Sequence, residues 1–166
     1  FNNYQRKRRM DVHNGVTLEG RCREASVEFP KLDLPSGSYG FFPYHFQEGD
    51  GELLSTNATP LCRLQGKDGT SCVVFYSDWD PAFVWKDENH FPVLHLDWER
   101  ALQAWKVTLD RDYLILSDDY VWEKDGKLHI EGEKETVIRC YPKLKDLSVL
   151  PEGFEACGAD QEFTLI

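Results

Sequence analysis

Turn-forming clusters punctuate this chain from end to end, leaving between them short runs that suit a strand and not a long helix. The clusters are Asn14-Gly15, Pro35-Ser36-Gly37, Gly49-Asp50-Gly51, Lys67-Asp68-Gly69, Lys124-Asp125-Gly126 and Glu131-Gly132. The segments between them are rich in Val, Ile, Phe, Tyr and Trp, whose stiff or flat side chains pack well on a pleated surface. This rhythm predicts an all-β fold, an antiparallel β-sandwich of jelly-roll-like character with one short helix.

Two hairpins stand out. Pro60-Leu61-Cys62-Arg63-Leu64 and Cys72-Val73-Val74-Phe75-Tyr76 flank Lys67-Asp68-Gly69, and an Asp-Gly step supplies the positive φ that a tight turn demands. Tyr120-Val121-Trp122 and Leu128-His129-Ile130-Glu131 flank Lys124-Asp125-Gly126, the latter with apolar–polar alternation that buries one face and wets the other. Further strands are expected at 15–20, 24–29, 38–46, 82–86, 91–96, 113–116 and 135–141. Asp97 reads as the N-cap of a short helix that places Trp98, Ala101, Leu102 and Trp105 at helical spacing. The expected organisation is a linker or chain start over 1–12, a sandwich domain over 13–142, and an edge segment over 143–166 that packs on it. A chain of 166 residues, 41% of them hydrophobic, is long enough to bury such a core without metals or disulfides.

Charge narrows the partners. The net formal charge is −10, although Arg6-Lys7-Arg8-Arg9 concentrates positive charge near the start. An acidic body repels a phosphate backbone, so nucleic acid is not an expected partner, and the basic run reads as a solvated linker. No apolar stretch approaches membrane-spanning length, and no membrane partner is expected. The five cysteines at 22, 62, 72, 140 and 157 form no metal clip or compact disulfide framework, which points to reduced thiols and a cytoplasmic setting, with one disulfide and three free thiols as the alternative.

No catalytic or metal motif emerges. His13, His45, His90, His95 and His129 lack the spacing of common ligand pairs, so no metal and no cofactor are expected. There is no Gly-x-Ser-x-Gly elbow and no Gly-rich phosphate loop. Acidic pairs remain: Asp78 and Asp80 flank Trp79, and Asp118-Asp119 precedes Tyr120, a composition from which a glycosidase dyad is sometimes built. Sugar binding is the other chemistry the residues suit, since an aromatic face stacks on the C–H face of a pyranose while carboxylates hold its hydroxyls. Asp78, Trp79, Asp80 and Trp85 are the candidate carbohydrate-binding residues, weighed against burial of both Trp rings in packing.

Ser38-Tyr39-Gly40-Phe41-Phe42-Pro43-Tyr44-His45-Phe46 is followed by Gly51-Glu52-Leu53-Leu54-Ser55-Thr56-Asn57-Ala58-Thr59-Pro60-Leu61-Cys62-Arg63-Leu64 and then Val73-Val74-Phe75-Tyr76. Read as a block, 36–85 resembles a non-catalytic β-sandwich domain of bacterial family 35-type β-galactosidases and related glycoside hydrolases. Weaker likeness continues through Ala101–Trp105 and Leu114–Asp118, and Thr59 and the Trp79 loop depart from the pattern. In that family the catalytic carboxylates belong to a (β/α)8 barrel, which needs about 250 residues, so no catalytic residue carries over to this chain. The resemblance implies an accessory domain whose partner is the catalytic barrel of a parent polypeptide, and the start at Phe1 fits a segment of a longer protein. An independent carbohydrate-binding module and a small β enzyme using Asp78 with Asp118 are the competing expectations.

Overall fold

The structure, a computed structural model, describes residues 11–22, 25–132, 137–144, 146–157 and 162–165. The basic run at 6–9 and nearly all of the expected linker at 1–12 lie outside the described residues. The fold is all-β and sandwich-like, with one short helix. The chain groups into two compact units, Phe1–Arg63 with Ser71–Trp98, and Leu64–Thr70 with Glu99–Ile166.

The described part of the first unit begins with β1 (His13–Val16), β2 (Glu19–Cys22), β3 (Ala25–Glu28) and β4 (Leu32–Leu34), in which β1 pairs with β4 and β2 with β3. Its centre is two three-stranded sheets. Strands β5 (Tyr44–Glu48), β6 (Gly51–Thr56) and β9 (Phe83–Trp85) form one, and β7 (Thr59–Gln65), β8 (Ser71–Ser77) and β10 (Val93–Asp97) form the other. Their inner faces meet through aromatic edges: Phe75 of β8 lies 5.4 Å from Phe83 at 74° and 6.3 Å from Phe46 at 72°. Leu53, Val73, Phe75 and Phe91 are buried there, with Phe46, Trp85 and Val93 packed around them. Burying a side chain the size of Phe75 is worth ~1.5–3 kcal/mol.

One pairing departs from the antiparallel expectation. Strands β8 and β10 run parallel, with Val73 opposite Val93 and Ser77 opposite Asp97. The chain reaches this geometry by passing through β9, in the other sheet, before returning. Central position explains why Val73, Val74 and Phe75 form an unbroken buried run and do not alternate.

Residues 38–43 are not a strand. The turn at Pro35–Ser38 is closed by Ser38 N–H and Oγ–H, both donating to the Pro35 carbonyl at 3.2 and 2.7 Å, and Gly37 takes φ 90° as the third residue of such a turn requires. Phe41 N–H then donates to Thr59 Oγ1 at 3.1 Å, so a side chain stands where a ladder partner was expected. The helix α1 (Trp98–Leu102) also ends early, because Ala104 and Trp105 belong to the next strand.

The second unit contains a five-stranded sheet in the order β11-β12-β15-β17-β16, built from β11 (Ala104–Thr108), β12 (Asp112–Leu116), β15 (Val137–Tyr141), β16 (Phe154–Cys157) and β17 (Glu162–Leu165). Hairpin β13 (Tyr120–Lys124) and β14 (Lys127–Glu131) turns on Asp125 and Gly126 at φ 55° and 75°, the geometry of a two-residue I′ loop. Val121 and Leu128 of the hairpin pack with Tyr113, Ile115, Ile138 and Cys140 of the sheet.

Candidate functional site

The loop after β8 carries three of the four sugar-binding candidates, and a buried asparagine holds it. Asn57 Nδ2 donates to the carbonyls of Lys31 (3.1 Å) and Asp80 (3.2 Å), and Oδ1 accepts the Ala82 N–H at 2.7 Å. Trp79 turns inward: its indole N–H donates to the Asn57 carbonyl at 2.8 Å and its ring meets Phe42 edge-on, centroids 6.0 Å apart. Trp85, on β9, stacks on His90 at 4.5 Å and abuts Phe91 at 4.7 Å. Both Trp rings are thus partly buried in packing, in separate surroundings, and Asp80 is fixed through its backbone.

Asp78 projects differently. It lines a small cleft of about 220 Å³ with Ser36, Gly37, Tyr39 and Trp98. Trp98, first residue of α1, forms the wall: Tyr39 packs against it at 5.7 Å and Tyr76 at 5.5 Å. Burial alone pushes the Asp78 carboxyl above its ordinary range. Among the described residues no side chain or amide donates to that carboxylate, and no cation sits beside it.

Two polar clusters adjoin this region of the first unit. Ser77 Oγ–H donates to the Trp79 carbonyl at 2.5 Å, which leaves it to accept from His95 Nε2–H at 2.9 Å. That polarity is the reverse of a serine nucleophile giving its proton to a base, and Ser77 is buried. Burial holds the His95 pKa down, keeping the ring neutral. The pair braces the loop. On the β5-β6-β9 sheet, Glu52 accepts from Lys86 Nζ at 2.6 Å and pairs with His45 Nδ1 at 2.8 Å; these two hydrogen bonds lower its pKa to about 2. His45 adopts φ 48° within β5, a conformation unusual for a residue with a Cβ.

In the second unit a cleft of about 850 Å³ lies over Tyr113, Leu144 and Val149, rimmed by Lys67, Asp110 and Arg111. Lys67 pairs with Asp110, and the Tyr113 hydroxyl donates to Asp110 Oδ1 at 3.0 Å. The Lys67 hydrogen bond lowers the Asp110 pKa, while burial and then Asp110 raise Tyr113 to about 12. Neither group exchanges its proton near neutral pH. Asp118 belongs to this second unit, where it accepts from Gln103 Nε2 at 2.6 Å. Among the described residues no three His, Cys, Asp or Glu side chains gather as a metal site would require, and no helix is long and apolar enough to cross a membrane.

Sequence reasoning singled out Asp78 but missed Ser36, Tyr39 and Trp98 beside it. These residues come from the Pro35–Tyr39 turn, the end of β8 and the start of α1, segments about 20 to 60 residues apart in sequence. No local spacing marks such a set. No family model, curated protein or solved structure matches this chain.

Proposed function

We propose that this chain is a non-catalytic accessory domain of a β-galactosidase-like glycoside hydrolase, supporting the catalytic barrel of its parent polypeptide or shaping that barrel's substrate cleft. The observation that carries the reading lies in the stretch that carries the resemblance. Its aromatics divide: Phe42 and Phe46 turn inward, against Phe29 and Phe75 respectively, whereas Tyr39, Phe41 and Tyr44 face solvent, Phe41 with 63% of its surface exposed. Single exposed apolar residues are ordinary, but three large rings within six residues are a feature of contact surfaces. The catalytic barrel is the partner the resemblance supplies.

The thiols at Cys62, Cys72 and Cys140 accord with a reducing compartment, and the cytoplasm is the setting that fits them. The experiment is Phe41→Asp with Tyr44→Asp in the full-length polypeptide, assayed on an aryl β-galactoside and by limited proteolysis. Because both rings are exposed, the domain keeps its circular dichroism spectrum while activity falls and proteolysis quickens. Unchanged activity and protease resistance would remove the docking role.

A further inference from the structure

We infer that the cleft bounded by Ser36, Tyr39, Asp78 and Trp98 is a binding subsite for a single neutral pyranose. At about 220 Å³ the cleft falls below the roughly 300–1,000 Å³ of sites for drug-sized ligands, so it takes one small ring. Its polar groups have the right chemistry. The Asp78 carboxylate offers acceptor positions for ligand O–H donors, and the half-buried Ser36 hydroxyl both donates and accepts. Neither side chain has a hydrogen-bond partner among the described residues, so both are available to a ligand. Tyr39 and Trp98 supply aromatic surface against which the C–H face of a sugar ring lies.

The carboxylate and rings together would also attract an ammonium ion. Two observations favour the sugar. Tyr39 meets Trp98 edge-on at 5.7 Å and 85°, and Tyr76 packs on it tilted at 5.5 Å, so the rings line one side of the cleft as a wall, where a cation cage needs rings on several sides. The hydroxyl of Ser36 matches a ligand that is itself made of hydroxyls and is of little use to a quaternary ammonium.

The framework is built to hold this geometry. Gly37 at φ 90° and the two Ser38 hydrogen bonds fix the turn on one side. The Ser77–His95 and Asn57 bonds fix the Asp78 loop on the other. A backbone already held in place leaves only the Asp78 side chain to order on binding, which matters for a ligand able to make few contacts.

The choice of a sugar rests in part on the accessory-domain reading, but its test does not involve the barrel. The isolated chain, ¹⁵N-labelled, is titrated with methyl β-D-galactopyranoside and methyl β-D-glucopyranoside to about 100 mM, a range suited to the weak binding of one small ring. Saturable shifts confined to Ser36–Tyr39, Asp78 and the Trp98 indole are expected, with a millimolar dissociation constant. Asp78→Ala weakens binding at least tenfold and Tyr39→Ala several-fold, with the rest of the spectrum unchanged. Absence of a saturable shift with either sugar, shifts indifferent to Asp78→Ala, or saturation by tetramethylammonium in place of the sugars would each overturn the assignment. Sugar silence would leave the docking role standing, and a docking failure would leave the subsite standing.

Discussion

Replacing Asn57 by Ala removes three hydrogen bonds from a side chain that is 1% exposed. Each such bond contributes a net ~1 kcal/mol, so the loss begins at about 3 kcal/mol. It rises towards ~5 kcal/mol if the Ala82 amide and the Lys31 and Asp80 carbonyls stay dry and unpaired. For a chain of this length each kcal/mol moves the midpoint by about 2–4 °C, and the lower figure corresponds to a drop of about 10 °C. Scanning calorimetry and urea titration at constant m measure it. Asn57→Asp sharpens the test. It keeps the acceptor for Ala82 N–H but sets a carboxylate oxygen against two carbonyl oxygens, which raises its folded pKa above the unfolded value of about 3.9. The variant's stability is then fullest below about pH 4 and is lost as pH rises through the folded pKa. A loss under ~1 kcal/mol for Asn57→Ala, or no acid recovery for Asn57→Asp, would show that the asparagine does not staple this loop.

Three further outcomes follow from how Asp112, Cys140 and Gly51 are packed. Asp112 is buried; burial acts to raise its pKa, and hydrogen bonds from Lys106, Thr108 and Gln65 N–H outweigh it and hold the pKa below 3.8. Asp112→Ala therefore costs about 2–4 kcal/mol at pH 7, from the lost charge-assisted hydrogen bonds and the Gln65 amide left unpaired, and the wild-type share of that stability, present above pH 3.8, is lost on acidification below it; equal urea midpoints at pH 7 would contradict this. Cys140, pushed up to about 12 by burial, stays a neutral thiol. Its contribution to stability is complete below pH 9 and is lost as pH rises towards 12, and a variant retaining only this cysteine resists iodoacetamide at pH 8.5 until unfolded; rapid labelling of the native form would refute its burial. At Gly51 an added Cβ would lie 2.9 Å from the Asn89 carbonyl oxygen and 3.0 Å from Phe91 N, both backbone atoms. Gly51→Ala should cost about 1–3 kcal/mol by thermal melting, and a neutral substitution would mean that the 89–91 segment yields freely.

The parts legible in the sequence are those fixed by local chemistry. The two hairpins follow from Asp-Gly steps, and Gly69, Asp125 and Gly126 all take the positive φ that those turns need. Val73-Val74-Phe75 is readable as a strand, but its parallel partner is not, because β10 returns only after a strand in another sheet. Residues 38–43 misled by composition: their aromatics suit a strand, yet Thr59 Oγ1 takes the Phe41 amide and the turn at Pro35 takes Ser38. The Trp79 loop attracted attention for its Trp between two Asp, and only Asp78 of the three faces the cleft. What turns Trp79 inward is Asn57, 22 residues earlier, a contact that no local spacing encodes.

The proposed accessory role is tested most directly by the reading frame that encodes this chain. Translation of the sequence adjoining the codon for Phe1 is predicted to yield a (β/α)8 barrel of about 250 residues bearing two catalytic carboxylates at the C-terminal ends of its strands. A contiguous reading frame that encodes no such barrel on either side of this chain would contradict the accessory role.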